Sequence, residues 1–334
     1  MRLRRTRPAV QPADPRPALL SRPITRRRGM TSLAVLGTAV LGSGSLAACS
    51  SKASARDEIV FAAVPAETSQ SLAQTFEPVT ALIEQATGRT VTFQNAADYA
   101  AVIEGQRAGK IDIASYGPFS YVIAKDSGIA LEAVVAPVDE EGASPAYTSL
   151  CYAAPDSGIA SLADLRGKRV AFVDKASTSG YLVPLEGLMS TGLDVDADLT
   201  EVLAGGHDAS LLALASGDVD AAFAHDAMLT TLIGTGQVPE GALIPVWESS
   251  PIPEDPIALN TTTLDAETVE KIRSALQTSA NKPALVEQGI CASAQECVLP
   301  EETEWGYAAV TDADYEPIRH LCEVTQADAC AAVA

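Results

Sequence analysis

Residues 168–184 read Lys168-Arg169-Val170-Ala171-Phe172-Val173-Asp174-Lys175-Ala176-Ser177-Thr178-Ser179-Gly180-Tyr181-Leu182-Val183-Pro184. A short β-like run, Lys168 to Val173, passes through three successive hydroxyl residues into the start of a helical pattern. A strand feeding a helix in this way is the unit of α/β folds with mainly parallel sheets. Hydroxyls and unpaired backbone N–H groups at a helix amino end make a ready anion site, helped by the helix dipole. Three hydroxyls exceed what a cap needs, although an ordinary N-cap and turn would use the same residue types. No Lys stands in a GxxxxGK arrangement, so this is not a nucleotide P-loop.

The same alternation continues on both sides. Further strands are expected at Ile59 to Val64, Thr90 to Gln94, Ile111 to Ser115 and Val219 to Phe223. Between the first two, Leu72 to Ala86 repeats apolar residues at helical spacing, with Ser69 or Ser71 placed to cap it and Gly88 to stop it. A second strand-to-helix junction reads Ala204-Gly205-Gly206-His207-Asp208-Ala209. Its paired glycines allow a tight turn or close backbone approach, and His207 begins the helix. Tyr147 to Ala154, and Leu243 to Pro256 with its prolines around Ser249-Ser250-Pro251-Ile252-Pro253, look like two crossings between lobes. The expected organisation is lobe 1 over 58–149 and 251–334, and lobe 2 over 150–250. Ligands of open α/β sheets bind at the carboxyl ends of strands, so the cleft between two such lobes is the natural site.

At 334 residues the chain is long enough for two cores, and with 47% hydrophobic but 5% aromatic residues they are packed mainly by aliphatic side chains. Nine of the 23 basic residues but one of the 43 acidic ones precede Cys49. The remaining 14 basic and 42 acidic residues give that part a formal net charge of −28. Such a surface repels nucleic acid and anionic lipid, and any anion must be held locally by oriented dipoles.

Residues 1–48 read as a signal peptide. A basic stretch ending Arg26-Arg27-Arg28 precedes the apolar run Ser32 to Ala48, too short for a comfortable membrane span. Leu46-Ala47-Ala48-Cys49 resembles the bacterial lipobox, in which the Cys is acylated, and residues 49–57 are then the lipidated Cys and its tether. Thr25-Arg26-Arg27 leaves twin-arginine and ordinary secretory export both open. Of the other five cysteines, Cys291 with Cys297 and Cys322 with Cys330 are near enough to close small loops. Cys151 in Ser149-Leu150-Cys151-Tyr152-Ala153 reads as a buried small hydrophobe. No Cys/His spacing suits zinc.

Tyr99 could offer its ring and hydroxyl to the cleft, although a core Tyr is the ordinary reading. Gly117-Pro118-Phe119-Ser120-Tyr121 reads as a helix start. Asp226 and Asp255 lie at a strand end and in the second crossing, where most aspartates are simply solvated.

Taken together, Asp98-Tyr99-Ala100-Ala101-Val102-Ile103, Gly117 to Tyr121, Ser177 to Pro184, Gly205 to Ala209 and Ser250-Pro251-Ile252-Pro253-Glu254-Asp255-Pro256 resemble, in order, the phosphonate- and phosphite-binding (PhnD-like) subunits of ABC importers. The resemblance spans nearly the whole chain after Cys49. It implies a type II periplasmic-binding-protein fold, two α/β lobes joined by two crossings, and a permease as partner. It also implies that Ser177, Thr178 and Ser179 bind the phosphorus oxygens, with His207, Tyr99, Tyr147 and Asp255 in the same cleft. An aminoethylphosphonate receptor of the family carries a Glu for the ligand's ammonium where Asp226 stands here, one methylene shorter. Thr148 replaces an aromatic residue often found after the second tyrosine.

The expected function is an extracytoplasmic, lipid-anchored receptor for a phosphonate, phosphite or related phosphorus oxyanion, needing no cofactor or metal. A receptor for another small solute would share the fold. A hydrolase using Ser177, His207 and Asp226 lacks the Gly-x-Ser-x-Gly elbow. Within the expected class, phosphite or a small alkylphosphonate should outbind phosphate, sulfate and aminoethylphosphonate, because a fourth phosphate oxygen would need a polar partner where Tyr99 and Tyr147 present rings.

Overall fold

A computed structural model describes residues 57–66, 69–300 and 303–332; the expected signal segment, Cys49 and all of its tether but Asp57 lie outside these. The chain begins with β1 (Glu58–Ala63), α1 (Ser69–Thr75), α2 (Glu77–Thr87), β2 (Thr90–Gln94), α3 (Tyr99–Arg107), β3 (Ile113–Ser115), α4 (Pro118–Asp126) and β4 (Leu131–Val138). It continues through β5 (Ala146–Tyr147), β6 (Ser149–Ala153), β7 (Arg169–Phe172), a π turn over Thr178–Leu182, α5 (Val183–Ser190), α6 (Val195–Asp198) and β8 (Thr200–Leu203). Then come α7 (His207–Ala215), β9 (Ala221–His225), α8 (Met228–Gly234), β10 (Ile244–Glu248), β11 (Ile252–Pro253), β12 (Ile257–Asn260) and, nearer the carboxyl end, β13 (Gly306–Ala309).

The strands form a six-stranded sheet in the order β13-β4-β12-β3-β1-β2 and a five-stranded sheet in the order β10-β6-β9-β7-β8. In the first, β1 runs parallel to β2 and β3, with Phe61 opposite Phe93 and Ile113. In the second, β7 runs parallel to β8 and β9, with Val170 opposite Glu201 and Ala221. The chain passes from the first sheet to the second at β5–β6 and returns at β10–β11. There β5 and β11 pair antiparallel as a separate ribbon, Ile252 opposite Tyr147.

Period-two alternation builds the layers. Ile59, Phe61 and Ala63 face Phe76, Val79 and Leu82, while Ala62 and Val64 face Tyr99, Val102 and Tyr116 on the other side. Removing such side chains from water stabilises the fold by about 1.5–3 kcal/mol each. In the second sheet Val170, Phe172 and Phe223 pack on Leu162 and Leu188, and Ala171 and Ala222 on Leu211 and Leu214. Val173, Ala176 and Leu182, just beyond β7, pack into the Tyr99 layer of the first sheet.

Two expectations about the segment between β1 and β2 change. The single helix over 72–86 is broken at Phe76, with Pro78 in the first turn of α2. Proline lacks the N–H that would bond one turn back, and its ring clashes with that carbonyl. Ser69 opens α1 and Ser71 lies inside it, so neither stands ahead of its first turn. Gly88 ends α2 as expected, left-handed at φ 71°. Cys291–Cys297 and Cys322–Cys330 are disulfides, and Cys151 is free and buried. Among the described residues no helix is long and apolar enough to cross a membrane.

Candidate functional site

The carboxyl ends of β3, β7, β8 and β9 converge on one small cavity. It is lined by Ala66, Tyr99, Gly117, Tyr147, Ser177, Thr178, Ser179, His207, His225 and Asp255. No Lys or Arg stands among these residues. Seven of the eight residues expected from the sequence meet here; Asp226 does not.

The hydroxyl cluster is held by an unusual helix start. Asp174 turns the chain after β7, its side chain accepting from the Ala176 N–H at 2.8 Å and its carbonyl from the Ser177 N–H at 2.9 Å. Ser177 then caps the helix, Oγ accepting from the Gly180 N–H at 3.1 Å. The first turn is π-wound, Leu182 N–H reaching back to the Ser177 carbonyl at 3.1 Å. Pro184 supplies the reason, because it has no N–H for the carbonyls one turn earlier. Those carbonyls are served from outside the helix, Gly180 by the Val173 N–H at 3.1 Å and Ser179 by the Ser149 hydroxyl at 2.6 Å. Gly180 is required by packing, since a Cβ there would come within 2.3 Å of Val173 Cγ2. Thr178 and Ser179 occupy the first helical positions, whose amides have no acceptor within the helix and lie at the positive end of its dipole.

His207 is presented through Gly205, left-handed at φ 88°, and Gly206, where a Cβ would lie 3.4 and 3.5 Å from the Pro65 and Ala66 carbonyls. Its backbone N–H donates to the Ala66 carbonyl at 2.8 Å. The first amide of α7 is therefore committed to the loop after β1, and the imidazole is what His207 offers. Nδ1 accepts from the His225 N–H at 3.1 Å, which places the ring proton on Nε2. Burial, and secondarily His225, holds the His207 pKa well below the usual imidazole range. The ring is thus a neutral N–H donor.

From the first sheet, Tyr99 opens α3 behind Asp98, which accepts from the Ala101 N–H at 2.7 Å. Gly117 caps α4, and a Cβ on it would stand 3.4 Å from Thr178 Oγ1 and 3.9 Å from Asp255 Oδ1. Asp255 follows β11, and half-buried Tyr147 sits in β5 opposite Ile252. Asp226 is occupied elsewhere. Its Oδ2 accepts from the Thr148 N–H at 2.9 Å and hydroxyl at 3.1 Å, and its Oδ1 from the Ala227 N–H at 3.0 Å. Asp226 thereby holds the break between β5 and β6 and borders a neighbouring acidic hollow with Asp139, Glu140 and Glu254. His225, buried at the end of β9, was missed by the sequence reading; its position at the carboxyl end of a strand is the signal that could have found it.

The family of ABC-transporter phosphonate-binding periplasmic substrate-binding proteins matches residues 61–315. The chain belongs to that family. It is 40% identical over 283 residues to the phosphate-import protein PhnD of Mycolicibacterium smegmatis, covering 82% of this chain and 88% of that one. Identity to the phosphonates-binding periplasmic protein of Escherichia coli is 30% over 266 residues, 78% and 75% of the two chains. The crystal structure of a binding-protein component of a phosphonate ABC transporter from Pseudomonas aeruginosa superposes with a TM-score of 0.70 at 30% identity, covering 80% of this chain and 86% of that one. The fold is thus the type II periplasmic-binding-protein fold, two α/β lobes joined by two crossings. As a family member the chain is a substrate-binding component of an ABC importer for phosphorus oxyanions, and its work is binding rather than catalysis.

Proposed function

We propose that the chain captures, between its lobes, a tetrahedral phosphorus oxyanion that carries a proton, and delivers it to the importer's permease. The observation that carries this reading is Asp255, a carboxylate among the hydroxyls of Ser177, Thr178 and Ser179 and the neutral His207 in a cavity lined by no Lys or Arg. The donors suit any tetrahedral anion. An acceptor facing an anion is unfavourable unless the ligand supplies a proton. Phosphate, phosphite and alkylphosphonates have one to give near neutral pH, whereas sulfate does not. The names of the Mycolicibacterium and Escherichia relatives, phosphate import and phosphonate binding, fall within this set.

Tyr99 and Tyr147 complete the proposed ligand shell. Asp226 is left out of it, because its carboxylate is engaged by Thr148; a distant ligand amine then has no partner there. The lobes are assigned to 58–149 with 251–334 and to 150–250, with the β5–β11 ribbon as hinge. Acylated Cys49 is proposed to hold the receptor at the outer face of the cell membrane, on the lipobox reading of Leu46 to Cys49.

Calorimetry of the purified protein tests the ligand class. Phosphate, phosphite and methylphosphonate should bind, with sulfate weaker by at least about tenfold, the cost of setting a carboxylate against a fully ionised anion. Asp255→Asn should narrow that gap, and Ser177→Ala should weaken all the anions alike. Sulfate bound by the wild type as tightly as phosphate would overturn the reading.

A further inference from the structure

His225 ends β9 against His207, the two rings meeting edge-on with centroids 4.7 Å apart. The backbone N–H of His225 is given to His207 Nδ1 at 3.1 Å, which locks the pair together. The residue is 5% exposed and borders the oxyanion cavity, yet its Nε2 is buried without a hydrogen-bond partner. Folded proteins strand few such atoms, because a buried polar nitrogen gives up its water and gains nothing in return. His225 also borders the acidic hollow beside Asp226, but an unpaired nitrogen on a residue that lines the oxyanion cavity is a natural partner for a ligand atom.

We propose that His225 Nε2 is the partner of the fourth oxygen of phosphate, which makes His225 the residue that selects phosphate over phosphite and methylphosphonate. This deepens, and rests on, the reading of the cavity as a phosphorus-oxyanion site. The three ligands share three oxygens, which the hydroxyl cluster, the amides of Thr178 and Ser179 and His207 Nε2 can serve. They differ in the fourth substituent, which is an oxygen, a hydrogen or a methyl group. As an N–H, His225 Nε2 donates to a phosphate oxygen; as a bare nitrogen it accepts from P–OH. A P–H or P–CH₃ group does neither and leaves the nitrogen stranded. The ranking expected from the sequence is thereby reversed. That expectation supposed the fourth oxygen to meet the rings of Tyr99 and Tyr147 and so to lack a polar partner.

The test is calorimetric titration of the wild type, His225→Phe and His225→Gln with phosphate, methylphosphonate and sulfate. The wild type should prefer phosphate to methylphosphonate by about tenfold to a hundredfold, the range expected for one stranded buried polar group. His225→Phe keeps a ring and removes the nitrogen, so phosphate affinity should drop and the preference collapse; His225→Gln should restore part of it. In the wild type, the imidazole ¹⁵N resonances of His225 should shift on saturation with phosphate and not with methylphosphonate, a readout independent of whether either variant folds. A wild type that binds methylphosphonate as tightly as phosphate, or a Phe variant that loses both ligands by the same factor, overturns the proposal. The sulfate titration reports separately on Asp255: sulfate matching phosphate would sink the protonated-ligand reading, while the phosphate-to-methylphosphonate ratio still measures His225.

Discussion

The backbone N–H of Phe119 donates to the hydroxyl of Thr178 at 2.8 Å. This bond joins the start of α4, in the first lobe, to the π turn of the second, and the His207 N–H on the Ala66 carbonyl is its counterpart across the same cavity. Both bonds can form only when the lobes are together. Thr178→Val preserves shape but leaves a buried amide unpaired, a loss of about 1–3 kcal/mol. Ligand affinity should fall about five- to hundredfold by calorimetry, with Thr178→Ser close to wild type. Small-angle scattering should show the wild type compacting at saturating phosphate; an unchanged profile would refute closure about the β5–β11 ribbon.

Acid should unfold this protein earlier than its carboxylates alone require. Burial depresses the pKa of both His207 and His225, with Asp226 opposing the shift at His225 in part. The unfolded chain takes up protons on these histidines below about pH 6.5, and the folded chain resists doing so. Their contribution is present above that pH and is lost as pH falls towards the folded values, at up to about 1.4 kcal/mol per pH unit for each histidine. The melting temperature should therefore fall between pH 7 and pH 5. His225→Gln should show a shallower slope, and equal slopes would contradict the assignment.

Gly180→Ala should damage stability and binding together. The added Cβ would meet Val173 Cγ2 at 2.3 Å and Ser177 Oγ at 2.8 Å, in a turn already fixed by bonds at both of its exposed carbonyls. Overpacking of this kind costs about 1–3 kcal/mol. Thermal melts should reveal that loss, and calorimetry should show weaker binding of every anion tested. A variant as stable as wild type would mean the turn can shift.

Cys49→Ala should abolish lipid modification. Mass spectrometry of protein recovered from membranes should find a diacyl or triacyl Cys49 as the first residue, and fractionation should move the Ala variant out of the membrane pellet. An unmodified amino terminus elsewhere would exclude the anchor.

The parts of the fold legible in the sequence are those written in short-range patterns. β2 spans Thr90–Gln94 as expected, because alternation bounded by turn residues is a local signal. The hydroxyl turn and the glycine turn before His207 were likewise readable as strand-to-helix junctions. β9 was expected over Val219 to Phe223 and instead spans Ala221–His225. Asp226 was expected in the cleft from the resemblance and not from the strand; adjacent residues at a strand's end face different ways, and it is His225 that lines the cavity. The commitment of the His207 amide to Ala66 was not legible at all, since it depends on how two distant segments meet. Neither was the engagement of Asp226 by Thr148, which ties the end of β9 to the β5–β6 crossing.

That neither Lys nor Arg lines the cavity has a kinetic consequence. An anion approaching this receptor meets a strongly acidic surface and, at its destination, dipoles and hydroxyls whose pull fades within a few ångströms. Encounter is therefore slowed by long-range repulsion. Adding salt shortens the reach of that repulsion, from about 30 Å at 0.01 M to about 10 Å at 0.1 M, while no ion pair in the bound state is weakened by it. Capture should quicken with ionic strength and release should hardly change, so the apparent affinity for oxyanion should rise with salt, opposite to a receptor that grips its anion with arginine.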